Sequence, residues 1–185
     1  MSTHPLETAI ASTRSVLSGV TKSQLTDATP CKEWSVSQLI NHIVGGQYFF
    51  ASAVKGESVD GEAPDFSAGD FLGAFDTGSK LCLEAFAGDG AMDKMITLPF
   101  GDMPGSAFVG LAATDTFTHG WDLAKATGQS TDLSPELAEQ LLTGAQKSIS
   151  PAFRNDEGNP FGPEKVAQAG ASQADQLAAF LGRQV

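Results

Sequence analysis

Basic side chains are scarce in this chain and missing where a buried acid would need them. Eleven Lys and Arg stand against 22 Asp and Glu, for a formal net charge of −11. Gripping a phosphate backbone takes clustered Lys and Arg, and so does adhesion to an anionic membrane. The balance therefore argues against nucleic acid and lipid surfaces as partners. Cysteine is scarcer still. Cys31 and Cys82 are the only two, too few for a disulfide framework in a chain of 185 residues, so reduced thiols are expected. No uninterrupted apolar run approaches the roughly 18 residues of a membrane span. The opening MSTHPLETAI lacks the basic and apolar regions of a signal peptide. These absences lead to the expectation of a soluble, cytoplasmic protein. The length suits a single domain over residues 1–185, with enough chain to bury a core without staples.

What is present is helical periodicity. Leu6, Ile10, Thr13, Leu17 and Val20 mark a first amphipathic helix opening near Pro5. Ser35 is an expected N-cap for a helix over 36–54, with Val36, Leu39, Ile40, Ile43 and Val44 as its apolar stripe. A Gly- and acid-rich loop over 55–69 precedes a third helix over 70–86, which carries Phe71, Leu72, Phe75, Leu81, Cys82 and Phe86. Residues 95–98 suggest a short extended piece. A fourth helix follows Gly105 and stops at Gly128, an expected C′ residue. Pro135 after Ser134 starts another, over 136–149. The stretch 150–163 is rich in Pro and Gly and reads as loop, and residues 173–181 close the chain as a helix. The expected fold class is all-α, a four-helix bundle with additional short C-terminal helices.

The fourth helix carries the functional signal. At 100° per residue Asp115 projects about 40° from Leu111, Asp122 about 20° and His119 about 80°. They share a stripe with Phe108, Leu111 and Ala126, the face such a helix turns inward. Burying an unpartnered carboxylate costs several kcal/mol, yet 104–123 contains no Lys or Arg. A bound divalent cation is the expected compensation. Of the three histidines, His4 lies beside the terminus, where order is least expected. His42 lies on the second helix, about 60° from Leu39, at the edge of the apolar stripe. Asp115 and His119 are spaced i, i+4 and so meet on one face. One imidazole from one helix and an Asp–His pair from another would hold a metal through three ligands. Zn²⁺ suits them best, with Ni²⁺ or Fe²⁺ as alternatives. Asp122 could replace Asp115 as a ligand. Its expected role is to hydrogen-bond a ligand imidazole and fix its tautomer.

Other signals are weaker. Cys31 has only Lys32 nearby in sequence to activate it, so a packed thiol is expected. Trp34 and Trp121 flank the ligand-bearing helices and are expected to pack. Tyr48, Phe49 and Phe50 could line a cleft beyond His42 or belong to the core. Gly45 and Gly46 sit in a helical pattern without the context of a phosphate loop, and are expected to let helices approach.

The segment Thr29-Pro30-Cys31-Lys32-Glu33-Trp34-Ser35-Val36, with Leu39 and His42 after it, resembles the opening motif of the DinB-like superfamily. The resemblance is to the branch containing the N-terminal domain of mycothiol-dependent maleylpyruvate isomerases. The run His119-Gly120-Trp121-Asp122-Leu123-Ala124 is similar to that branch's second motif. The tail Phe161-Gly162 through Leu181-Gly182-Arg183 is similar to the ending of short, single-domain actinobacterial members. The resemblance implies a metal held by His42, Asp115 and His119, with Asp115 standing where the isomerase branch often has Glu. It implies mycothiol as a possible cosubstrate, and hence a thiol-dependent transferase or isomerase acting on a small organic substrate. The isomerases carry a further C-terminal domain, and none is expected in this shorter chain. The alternative class is a non-catalytic metal- or ligand-binding module, which a fourth protein ligand such as Asp122 or Glu84 would favour. A third class is a metal-free adaptor. Bundles of this kind often pair, so a homodimer is a further expectation.

Overall fold

The computed structural model describes residues 2–57, 64–149, 154 and 162–185. Four long helices dominate them: α1 (His4–Ser18), α2 (Val36–Lys55), α3 (Phe71–Ala87) and α4 (Gly105–Ala126). Two shorter ones follow, α5 (Pro135–Ser148) and α6 (Gln173–Phe180). Among the described residues the fold is all-α apart from a two-stranded antiparallel ribbon, in which β1 (Met95–Ile96) pairs with β2 (Met103–Pro104). The main packing pairs are α1 with α4 and α2 with α3. α2 also lies along α4, α1 lies along α3, and α5 packs on α6.

The core follows the expected stripes. Leu6, Leu17, Val36, Leu39, Ile40, Phe75, Cys82 and Phe108 are fully sealed from solvent. α1 ends two residues short of Val20, because Gly19 caps it. Along α3 the buried face shifts toward Phe75, Gly78, Ser79, Cys82, Ala85 and Phe86, leaving Phe71, Leu72 and Leu81 half-covered. The loop expected over 150–163 and the centre of the loop over 55–69 lie largely outside the described residues, as does Phe161.

Two local devices fix how α2 and α4 meet. Ser35 starts α2 with a reciprocal capping box: the Ser35 N–H donates to Gln38 Oε1 at 2.9 Å, and the Gln38 N–H reaches Ser35 Oγ. A cap of this kind contributes about 1 kcal/mol and sets the phase at which His42 leaves the helix. In α4, Gly120 lies against Thr13 of α1 so closely that a Cβ would collide with it. The same Thr13 hydroxyl donates to the Thr116 carbonyl at 2.9 Å. The close helix approach expected at Gly45 and Gly46 is thus achieved more tightly at Gly120. Gly45 and Gly46 have only ordinary contact distance to Phe66, Phe50 and Asp115.

Candidate metal centre

α2 and α4 present three side chains to one point. His42 Nε2 lies 3.5 Å from Asp115 Oδ1, and His119 Nε2 lies 3.6 Å from the same oxygen. The two imidazoles meet edge to face with ring centroids 4.5 Å apart. One ligand atom from each of the three residues lies within 4.8 Å of the other two. Three ligands each about 2.0–2.1 Å from a tetrahedral ion would be about 3.4 Å apart, close to the two separations measured here. At 3.5 Å the His42–Asp115 contact is too long for a well-made hydrogen bond, and His42 Nε2 is buried with no partner. A buried polar nitrogen without a partner is costly, so its orientation toward Asp115 and His119 calls for a ligand. The donor set, two nitrogens and one oxygen, fits a borderline divalent cation.

Asp115 is 26% and His42 35% exposed at the side chain, whereas His119 is 12% exposed. The cluster therefore sits at the mouth of the α2–α4 seam. Burial pushes the Asp115 carboxyl up, but His42 and His119, with a smaller contribution from Arg183, outweigh it and hold it below its ordinary value. It stays ionised at neutral pH.

Asp122 behaves differently. It is fully buried and accepts from three side chains. Arg183 donates through Nε to Oδ1 at 3.2 Å and through Nη2 to Oδ2 at 3.0 Å. His119 Nδ1 lies 3.0 Å from Oδ2, and the Cys31 thiol donates to Oδ2 at 3.3 Å. Burial again pushes this carboxyl up, and His119 and Arg183 more than reverse the shift. An ionised carboxylate can only accept, so His119 Nδ1 must carry the proton of that bond. This corrects the expectation that a metal must compensate both acids of the stripe. The chain supplies Asp122 with a guanidinium from 61 residues away, beyond what local composition could reveal.

Cys31 was expected to be a packing thiol with no histidine at hand. It is half-buried and 3.8 Å from His119 Nδ1. Burial, reinforced by the Asp122 charge and opposed by Arg183, pushes its thiol up to about 12. It sits at the site as a neutral donor. Trp34 also does more than pack. Its ring centroid lies 4.6 Å from that of His42 and 5.7 Å from that of His119, so it roofs the imidazole pair. The turn holding both residues is braced by Thr29, whose hydroxyl donates to the Trp34 carbonyl at 2.8 Å and accepts from the Cys31 N–H at 3.1 Å.

Other candidates lie elsewhere. Trp121 is buried and donates to Asp175 at 2.8 Å. Phe50 is sealed edge to face against Phe108, and Phe49 half-covers the same ring. Tyr48 stacks on Phe66 and donates to the Ala74 carbonyl. Glu84, weighed as a fourth ligand, is exposed beside Lys80 on α3, so it cannot close the site. His4 is solvent-exposed near Glu7.

Residues 6–124 match the family model of the mycothiol maleylpyruvate isomerase N-terminal domain. The chain belongs to this family. The match contains Cys31, Trp34, His42, Asp115, His119 and Asp122 and stops well short of Arg183. An uncharacterised protein of Mycobacterium tuberculosis, found in two strains, is 42% identical over 170 residues, covering 92% of this chain and 91% of the relative. Among solved structures, a crystal structure of a mycothiol-dependent maleylpyruvate isomerase superposes with a TM-score of 0.58 at 17% identity, covering 76% of this chain. The match spans 65% of that isomerase chain. A histidine-to-alanine mutant of a mycothiol-dependent maleylpyruvate isomerase gives 0.61 at 15% identity, covering 84% and 75% of the two chains. These superpositions establish the DinB-like fold.

Proposed function

We propose that this protein is a divalent-metal-dependent enzyme that uses a small thiol, mycothiol in the family's case, as cosubstrate for S-transfer or isomerisation of a small organic acceptor. The observation that carries the reading is the unpartnered His42 Nε2, buried and facing Asp115 and His119. Zinc is the cation that this donor set favours, with nickel or iron as alternatives. When bound, such a cation acts as a Lewis acid that lowers the pKa of a coordinated thiol or water toward neutrality.

The chain's own residues prepare the rest. Asp122 holds the Nδ1 proton of His119, which leaves Nε2 with its lone pair toward the cluster. Asp115 contributes the negative charge that favours a cation and keeps it at neutral pH. Trp34 covers the imidazoles on one side and limits water there. The partly exposed edges of His42 and Asp115 leave the other side for a thiol and an acceptor to approach. Among the described residues no fourth His, Cys, Asp or Glu joins these three. Three protein ligands with room for another are typical of catalytic rather than structural sites.

Elemental analysis of freshly purified protein tests the reading. Stoichiometric metal is expected in the wild type and in His4→Ala, and none in His42→Ala or His119→Ala. A metal-free wild type that gains no thermal stability from zinc or nickel would falsify it. Metal-loaded protein that neither binds mycothiol nor conjugates it to an electrophile above background would remove the enzymatic half and leave a metal-binding module.

A further inference from the structure

The C-terminal segment is shaped to deliver one side chain. α6 begins at Ser172, whose hydroxyl accepts from the Asp175 N–H at 3.0 Å. It is pinned to α4 where the Trp121 indole donates to Asp175. It ends in a left-handed reversal at Gly182, where φ is +95°. There the Gly182 N–H bonds to the Ala179 carbonyl and the Arg183 N–H to the Ala178 carbonyl, each at 2.9 Å. Gly182 also lies so close to Gly162 that a Cβ would come within 2.9 Å of its Cα, so only glycine fits. The next residue points back into the protein. Arg183 is 14% exposed, and its guanidinium grips both oxygens of a carboxylate that is itself sealed.

A planar fork engaging both oxygens fixes the plane of the carboxylate as well as its charge. Oδ2, the oxygen shared with Arg183 Nη2, is the one that faces His119 Nδ1. We infer that Arg183 is a positioning residue: through Asp122 it holds His119 as the Nδ1–H tautomer, with Nε2 aimed at the point shared with His42 and Asp115. Removing the fork frees the carboxylate to rotate about its terminal torsion, which has only a broad preference of its own. Oδ2 then leaves the line of Nδ1–H, and either ring nitrogen can carry the proton. Arg183 lies outside the region matched by the family model, so this contact joins a segment beyond that match to the centre within it. The inference rests on the proposed metal centre for its consequence, but the tautomer itself can be read without metal.

The test uses full-length protein and two readouts. Long-range ¹H–¹⁵N correlation spectra of the metal-free protein report which nitrogen of His119 is protonated, and competition with a chromogenic chelator gives the zinc affinity. The wild type should show the Nδ1–H tautomer alone. Arg183→Gln should show a mixture and bind zinc about 10-fold more weakly, the low end of what outer partners of ligand histidines cost. Arg183→Lys, which keeps the charge without the fork, should fall between. Arg14→Gln, which breaks an exposed Arg–Asp pair elsewhere, should match the wild type on both readouts. A folded Arg183→Gln protein with the wild-type tautomer and affinity overturns the inference. Should that variant not fold, Arg183→Lys decides: weaker zinc binding with a shifted tautomer supports the inference, and wild-type values overturn it. If the wild type binds neither zinc nor nickel, the proposed function fails, and the spectra of the metal-free proteins still decide the role of Arg183.

Discussion

Asp115 and Asp122 lie two turns apart on α4 and are opposites in every other respect. Asp122 is sealed and saturated by Arg183, His119 and Cys31. Asp115 is partly open, and among the described residues its neighbours within ion-pair range are two imidazoles, neither close enough for a good hydrogen bond. One acid completes the folded structure. The other is left with capacity to bind. The same residue type on one helix is thus saturated in one place and left unsaturated in the other by the partners that the rest of the chain brings to it.

The strongest way to break the comparison is Asp122→Ala. It strands a buried guanidinium, and losing one partner of a buried pair costs about 3–5 kcal/mol, which denaturant unfolding of the metal-free protein should show. The deficit has a definite pH sign. Because the folded state holds the Asp122 carboxyl below its ordinary 3.8, its contribution is complete above that value and is lost as pH falls through the folded one. The gap between variant and wild type should therefore be full at neutral pH and narrow in strong acid. Asp115→Asn sharpens the comparison from the other side. In the absence of metal it should cost little stability. With zinc at a hundred times its Kd, the wild type should gain about 2.7 kcal/mol and the variant nothing, as followed by thermal unfolding. Equal responses to zinc would mean that Asp115 is not a ligand. The smallest effect is expected for Arg14→Gln, since the Arg14–Asp76 pair has the same bidentate form but lies about half exposed. Solvent and salt screen such pairs, so its unfolding midpoint should be indistinguishable from the wild type.

The part of this site visible in the sequence is the part governed by local periodicity. The i, i+4 spacing of Asp115 and His119, the cap at Ser35 that phases His42, and the stop at Gly128 all follow from helix geometry. The structure has each in place. The resemblance carried in 29–36 and 119–124 supplied the pairing of the two helices. The partner of Asp122 was hidden because its contact spans 61 residues and depends on a chain reversal. A signal was nonetheless present. Arg183 is the only Lys or Arg after Lys165, it directly follows a glycine, and Lys125, three residues from Asp122, lies over the Trp121 ring instead, so the buried acid demands a distant cation. The placement of Cys31 and Trp34 is hidden in the sequence for a related reason. Their turn precedes α2, and no periodicity says which way an irregular segment faces.

The roof over the imidazoles has a practical consequence. The chain holds only two tryptophans. Trp121 is locked in the interior, while Trp34 rests on the imidazoles of His42 and His119. An excited indole readily passes an electron to a neighbouring imidazolium or open-shell cation, and its glow dims. Trp34 emission is therefore expected to dim when these rings take up a proton or hold open-shell nickel or iron, and to stay bright with closed-shell zinc, with the buried Trp121 as internal standard.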